Sequence, residues 1–143
     1  MGLDPFMEQR PLKQKRCLVI ADGFFEWVTE GAARDPQRIT LKDNGVFAFA
    51  GLWDHWKDPA GVEIRTFPII TTASENHPLM RPIHERMPVI LNKEEEDRWL
   101  SSDPDHPENV LRQYPADLMS SYKISKLVNS PRNDTPACIE PAP

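Results

Sequence analysis

The sequence predicts a mainly β domain with a few helices, α+β in class and barrel-like or sandwich-like in build. Three observations carry this. Six or seven short runs rich in Val, Ile, Phe, Thr and Trp are separated by clusters of Gly, Asn, Asp and Pro, the pattern of strands joined by turns. The 143 residues include 15 prolines, many for a helical chain. Helix start signals are few, the clearest being Asn92 ahead of residues 93–100. The length fits one domain with a sizeable core.

In chain order, residues 1–16 show no apolar period and are expected to be an N-terminal stub or a vector-derived segment, leaving 17–143 as a single partial domain. Residues 17–21 are β-branched and apolar and predict a strand. Asp22-Gly23 predicts a turn, and residues 24–29 a second strand. Residues 31–37 read as a loop, and 38–42 alternate polar and apolar as a half-buried strand does. Asp43-Asn44-Gly45 is a hairpin signal, and 46–53 predict the strand beyond it. Ala48, Ala50 and Gly51 there imply close approach by another element. A turn at 58–61 precedes 64–72, the most β-like run of the chain. Residues 73–81 read as loop or short helix, 87–91 as a strand, and 93–100 as a helix with Trp99 and Leu100 on its apolar face. A loop follows at 101–107, one or two helical turns at 108–113, a strand at 122–125, an irregular or briefly helical stretch at 127–133, and an extended tail at 140–143.

Hydrophobic content is 39% and charged content 27%, which fits a globular chain in water. No run approaches the roughly 18 apolar residues of a membrane span. No basic stretch leads into an apolar one at the start, so a cytoplasmic location and no membrane partner are expected. The net charge of −5 argues against a broad, non-specific nucleic-acid surface. The cations nevertheless cluster, at 10–16, at Arg81 and Arg86, and at Lys123, Lys126 and Arg132, which permits a local basic cleft. Cys17 and Cys138 have neither CxxC spacing nor histidine neighbours, so reduced, buried thiols are expected, with no metal and no cofactor.

The densest polar cluster is Ile83-His84-Glu85-Arg86-Met87-Pro88. In an extended segment His84 and Arg86 share a face and can hold a phosphate, while Glu85 points away and is given no catalytic role. Glu26 is a lone acid between Phe25 and Trp27. If the strand alternates, it faces opposite to both rings, either as a solvated edge residue or as a carboxylate in a partly apolar pocket suited to acid–base work. Thr71, with Thr72, ends the run 64–72 where a hydroxyl can bond a strand end or a phosphate. Trp53 and Trp56 flank Asp54-His55, as a core or rim pair or as a platform for unpaired bases. Arg132 and Asn133 fall in a polar turn, where Arg132 can line a polyanion groove. His55, His77 and His106 read as solvated.

Five ordered segments go further: 16–27 around Gly23-Phe24-Phe25-Glu26-Trp27, 47–53 ending in Gly51-Leu52-Trp53, 69–72, 82–88, and 114–117 with 128–134. Through these, the chain resembles the SOS response-associated peptidase family of abasic-site processing proteins over about residues 5–141. The resemblance implies that fold and a substrate, single-stranded DNA with abasic sites. It implies Glu26 as a catalytic proton donor and acceptor, and His84 as the active-site histidine beside the abasic sugar and its phosphate. Arg86 and Thr71 become phosphate contacts, with Arg132, Asn133 and Trp53 also counted towards DNA. Family members use an N-terminal cysteine, exposed by loss of the initiator Met, whose α-amine and thiol close a thiazolidine on the sugar aldehyde. Residue 2 here is Gly and both cysteines are internal. The chain is therefore expected to be a C-terminal portion lacking the nucleophile, with self-association through exposed strand edges. A non-catalytic DNA-binding module is the alternative, and a small-molecule hydrolase using Glu26 and His84 a distant third.

Overall fold

A computed structural model describes residues 14–102 and 105–143. The expected N-terminal stub falls largely outside the described residues, as do Arg10 and Lys13 of the first basic cluster. Ten strands follow in chain order: β1 (Arg16–Ala21), β2 (Phe24–Glu30), β3 (Ala33–Leu41), β4 (Phe47–Leu52), β5 (Asp54–Lys57), β6 (Glu63–Thr66), β7 (Thr71–Ala73), β8 (Arg86–Pro88), β9 (Ile90–Leu91) and β10 (Met119–Lys123). One α-helix among the described residues, α1 (Lys93–Leu100), lies between β9 and β10, and short 3-10 turns fill much of the rest. The chain is thus mainly β with a little helix, as expected. Among the described residues the strands form open sheets rather than a closed barrel. No helix among them is long and apolar enough to cross a membrane.

Two compact units divide the described residues. The first draws on residues 14–20, 47–72 and 88–114. Its sheet runs β1-β4-β9, with Ala48 opposite Leu91 and Phe49 opposite Ile90. Its core is Ala50, Ile70, Val89, Leu91, Trp99 and Val110, with Leu18, Leu52 and Leu111 packed against it. Three core residues exchange backbone hydrogen bonds in a ring: Ala50 N–H to Val89 C=O, Val89 N–H to Ile70 C=O, and Ile70 N–H to Ala50 C=O, each 2.9 Å. Gly51 is needed for the approach of β1. A Cβ there would lie 2.9 Å from Val19 Cγ2 and 3.0 Å from Cys17 Sγ. Burial pushes the Cys17 thiol pKa up. Both cysteines are free, Cys138 buried and Cys17 half-buried.

Helix α1 begins at the expected residue for the expected reason. Asn92 Oδ1 accepts from Glu95 N–H and Glu95 Oε2 accepts from Asn92 N–H, both 2.9 Å, a complete capping box. Buried Glu95 is further paired with Arg112, whose Nε donates at 2.7 Å. At the other end Arg16 donates to the carbonyls of Trp99 (2.5 Å) and Ser101 (2.6 Å), placing a cation on the C-terminal pole. Of the two apolar residues expected to anchor the helix, only Trp99 does so. It is fully buried, and its indole N–H reaches the carbonyls of Cys17 (3.0 Å) and Gly51 (3.3 Å), whereas Leu100 is half exposed.

The second unit draws on residues 21–46, 73–87 and 115–143, with the sheet order β10-β3-β2. Here the expected loop at 31–37 is mostly strand. β3 begins at Ala33, because Gly31 takes a left-handed φ of 59° and closes a two-residue turn between Glu30 and Ala33. The polar residues Arg34 and Asp35 then stay in the ladder opposite Thr29 and Val28. The turn at 43–45 forms, with Asn44 at φ 53° and Gly45 N–H on Asp43 Oδ1, yet it joins strands of different sheets and closes no hairpin. Likewise the run 64–72 is not one strand. It breaks after Thr66, near Pro68, which has no N–H for a ladder, and Thr71 opens β7 instead of ending the run.

Replacing Asn92 with Ala removes the box and is expected to cost about 1 kcal/mol, read as a lower urea midpoint at unchanged m. An unchanged midpoint would show that the capping box contributes nothing measurable beside Trp99, Arg16 and Arg112.

Candidate functional site

Glu26 sits mid-strand on β2, the edge of the β10-β3-β2 sheet, opposite Gln37. Strand alternation holds. Phe25 and Trp27 pair with Arg38 and Pro36, and Glu26 shares the opposite face with Phe24, Val28, Gln37 and Ile39. Ile39 and Gln37 are buried, and Glu26 is half-buried beside them. Its carboxylate makes no hydrogen bond or ion pair with another described residue. A half-buried carboxylate with no partner among the described residues is open to a ligand proton.

His84 and Arg86 are both exposed, but the backbone between them is not the extended strand that the spacing assumes. The segment 74–84 is a compact series of turns, and β8 begins only at Arg86. His84 N–H donates to Met80 C=O (2.8 Å), which curls the backbone, so the alternation rule does not apply. The imidazole folds onto its own neighbour: Arg86 N–H donates to His84 Nδ1 at 3.1 Å. Arg86 C=O lies 3.1 Å from the same nitrogen. A bare Nδ1 accepts from the Arg86 N–H, and an Nδ1–H donates to the Arg86 carbonyl, so Nδ1 has a backbone partner in either tautomer. On protonation, Nδ1–H has the Arg86 carbonyl as acceptor. The ring is thus held in both charge states, with Nε2 left for a ligand. Glu85 is exposed beside it.

The same unit carries a groove not foreseen in the sequence. It is lined by Trp27, Arg34, Val128, Asn129 and Pro131. Trp27 Nε1–H donates to Asn129 Oδ1 at 2.6 Å, and the Arg34 guanidinium lies 5.6 Å from the Trp27 ring centre. The signal was faint, because Arg34 lies in a stretch read as loop and Asn129 in one read as irregular. Arg132 is exposed next to this groove in sequence, while the Asn133 amide is occupied in building the turn, donating to Leu127 C=O at 2.9 Å.

Of the three histidines read as solvated, His55 and His106 are exposed, the latter raised in pKa by its hydrogen bond to Glu108 and by Asp105. His77 is the exception. It is only 3% exposed, and its Nδ1 accepts from Met80 N–H at 3.0 Å. A turn sequence rich in polar residues and Pro78 reads as surface, yet this turn folds inward on its own hydrogen bonds.

Trp53 and Thr71 belong to the first unit. Trp53 is 40% exposed, stacked on His55 with centroids 6.0 Å apart and planes 16° apart, with the Lys15 ammonium 5.5 Å from its ring. Lys15 also bonds Asp54 at 2.5 Å and holds that carboxyl below its ordinary pKa. An open groove of about 440 Å³ runs past Trp53, His55, Arg65 and Phe67. Trp56 is 51% exposed as well, so the two tryptophans do not form a core pair. Thr71 is exposed at the start of β7. No group of three or more His, Cys, Asp or Glu side chains among the described residues is placed to hold a metal.

Comparison with known proteins gives the family. The family described as SOS response associated peptidase (SRAP) matches residues 6–131. The chain is 46% identical over 136 residues to the abasic site processing protein YoqW of Bacillus subtilis, covering 92% of this chain and 60% of that protein. It is 36% identical over 152 residues to the abasic site processing protein HMCES of Gallus gallus, covering 91% and 44% respectively. A crystal structure of a protein from Bacteroides thetaiotaomicron superposes with a TM-score of 0.81 at 37% identity, over 92% of this chain and 59% of that one. One from Bordetella bronchiseptica superposes at 0.73 and 28% identity, over 80% and 56%. The chain thus spans between about two-fifths and three-fifths of the length of these relatives. With the motif residues on the strand and turns described above, and the match running across most of its length, the chain belongs to the SOS response associated peptidase family.

Proposed function

We propose that this chain binds single-stranded DNA at abasic sites and supplies the acid–base and phosphate-binding groups of an abasic-site processing centre. The observation that carries the reading is the His84 imidazole, tied through Nδ1 to the Arg86 backbone and left with Nε2 for substrate. In the same unit Glu26 offers a half-buried carboxylate with no partner among the described residues. The relatives named as abasic site processing proteins supply the substrate class.

The roles follow from the chemistry of a lesion that opens to an aldehyde. Glu26 takes and returns the proton that moves as the sugar ring opens and closes. His84 Nε2–H donates to a sugar or phosphate oxygen, and the Arg86 guanidinium binds phosphate through paired donors. In this unit Arg132 is assigned to a phosphate of the strand; in the other, Thr71 is assigned to phosphate and Trp53 to stacking on a base. A thiazolidine needs a thiol and an α-amine on one residue. Cys17 and Cys138 are both internal, so their nitrogens are amides. Neither of these two cysteines can therefore close a thiazolidine. The open edge of β2 supports self-association as a further property.

Two outcomes test this. Incubation with an abasic single-stranded oligonucleotide is expected to give no DNA–protein band on a denaturing gel. A covalent band would overturn the assignment of chemistry and point to an unforeseen nucleophile. Non-covalent binding, followed by fluorescence anisotropy, is expected to weaken with salt. Arg86→Ala should reduce the slope of log K against log[salt] by roughly 0.7, the value for one phosphate contact on a single strand. An unchanged slope removes Arg86 from the phosphate path.

A further inference from the structure

We propose that the buried pair Ser74 and His77 are positioning residues that set the orientation of the His84 imidazole. The proposal rests on the role given to His84 above and deepens it. Ser74 is fully buried, yet it grips two consecutive peptide groups of the functional turn. Its N–H donates to Glu85 C=O at 2.9 Å and its Oγ to His84 C=O at 2.5 Å. One side chain and its own backbone thereby fix the planes on both sides of residue 85.

His77 works from the other end of the turn. Its N–H donates to Ser74 C=O at 2.9 Å, its C=O accepts Arg81 N–H at 3.0 Å, and its Nδ1 accepts Met80 N–H at 3.0 Å. The Met80 carbonyl then accepts both Ile83 N–H (2.9 Å) and His84 N–H (2.8 Å), with the Met80 side chain fully buried beneath. The chain of contacts runs from Ser74 to His77, to Met80, to His84, and back to Ser74. Beyond it stands the bond from Arg86 N–H to His84 Nδ1. Buried hydroxyl and imidazole groups cost free energy unless bonded, and here the bonds named all end within residues 74–86. Side chains that merely filled the space would serve equally well if apolar. These two present a donor to His84 C=O and an acceptor to Met80 N–H instead.

The test uses the full chain, ¹⁵N-labelled, with two-bond imidazole correlations reporting the His84 tautomer and amide exchange reporting the Arg86 N–H. In the unmodified chain His84 is expected as the Nε2–H tautomer with a protected Arg86 amide. His77→Leu and Ser74→Ala should each mix the tautomers and speed Arg86 amide exchange by roughly five- to tenfold, the loss of about one hydrogen bond. His77→Asn places an amide oxygen where Nδ1 stands and should restore both signatures. If His77→Leu does not fold, Ser74→Ala and His77→Asn still decide. Folded variants with an unchanged His84 tautomer and Arg86 exchange would overturn the proposal and leave the pair as packing alone. Binding of an abasic single-stranded oligonucleotide, measured in parallel, separates the two readings. Dependence of His84 on His77 without any DNA binding keeps the positioning role and removes the DNA role. DNA binding with His84 indifferent to His77 does the reverse.

Discussion

The structure depends on one requirement, that backbone groups left over by short, interrupted strands find partners. With 15 prolines in 143 residues the chain cannot run long ladders, and its longest strand among those described has nine residues. Every break leaves N–H and C=O groups that would be costly to bury alone. Side chains take them up. The Trp99 indole bridges the carbonyls of Cys17 and Gly51, Arg16 covers the carbonyls at the end of α1, and Asn92 and Glu95 cover its start. Asp58 Oδ1 accepts from Ala60 and Val62, and Asp43 Oδ1 from Gly45. In the second unit Ser74, His77 and Asn133 do the same for turns. Polar side chains at the breaks are thus part of the framework, and no buried polar side-chain atom among the described residues is left without a partner.

This explains how a rigid site can stand on a segment without regular structure. Catalytic and binding residues commonly lie on loops, but a loose loop would spend the orientation of an imidazole on conformational entropy. The turn 74–86 meets that cost with hydrogen bonds inside itself and with Met80 and Met87 buried beneath it. Glu26 takes the other route, held by the ladder of β2 against β3 with Gln37 opposite. Glu26 is thus fixed by sheet register and His84 by turn chemistry.

What could be read from the sequence divides along the range of the interaction. The start of α1 was legible because Asn92 and Glu95 are three residues apart and satisfy each other. The demand for a small residue at 51 was legible from Ala50-Gly51 in a strand, though not that Val19 and Cys17 impose it. Alternation around Glu26 was legible as a two-residue period. The length of β3 was not, since Arg34 and Asp35 are polar and only the register with β2 keeps them extended. The turn at Asn44 was seen, but which sheet receives the next strand is a long-range matter that a local signal does not carry. His77 was misread for the same reason. Its neighbours are polar, and burial came from the turn folding onto itself. The shared face expected for His84 and Arg86 rested on an extended backbone, whereas the Met80 carbonyl captures His84 N–H.

The outcome is chemically better than the expectation. Two side chains on one strand face would form a static clamp, with nothing to orient the ring. In the observed arrangement Nδ1 lies 3.1 Å from both the donor and the acceptor of one peptide neighbour. A bare Nδ1 accepts from Arg86 N–H, and an Nδ1–H donates to Arg86 C=O. Nδ1 therefore keeps a backbone partner whether or not it carries a proton, which holds the ring in place. The same contact ties the ring to the backbone of the residue whose guanidinium is assigned to phosphate, so a shift of the strand that moves Arg86 moves His84 with it. On the roles proposed above, this contact keeps the imidazole and the phosphate-binding guanidinium in fixed relation, even on a chain that is net acidic.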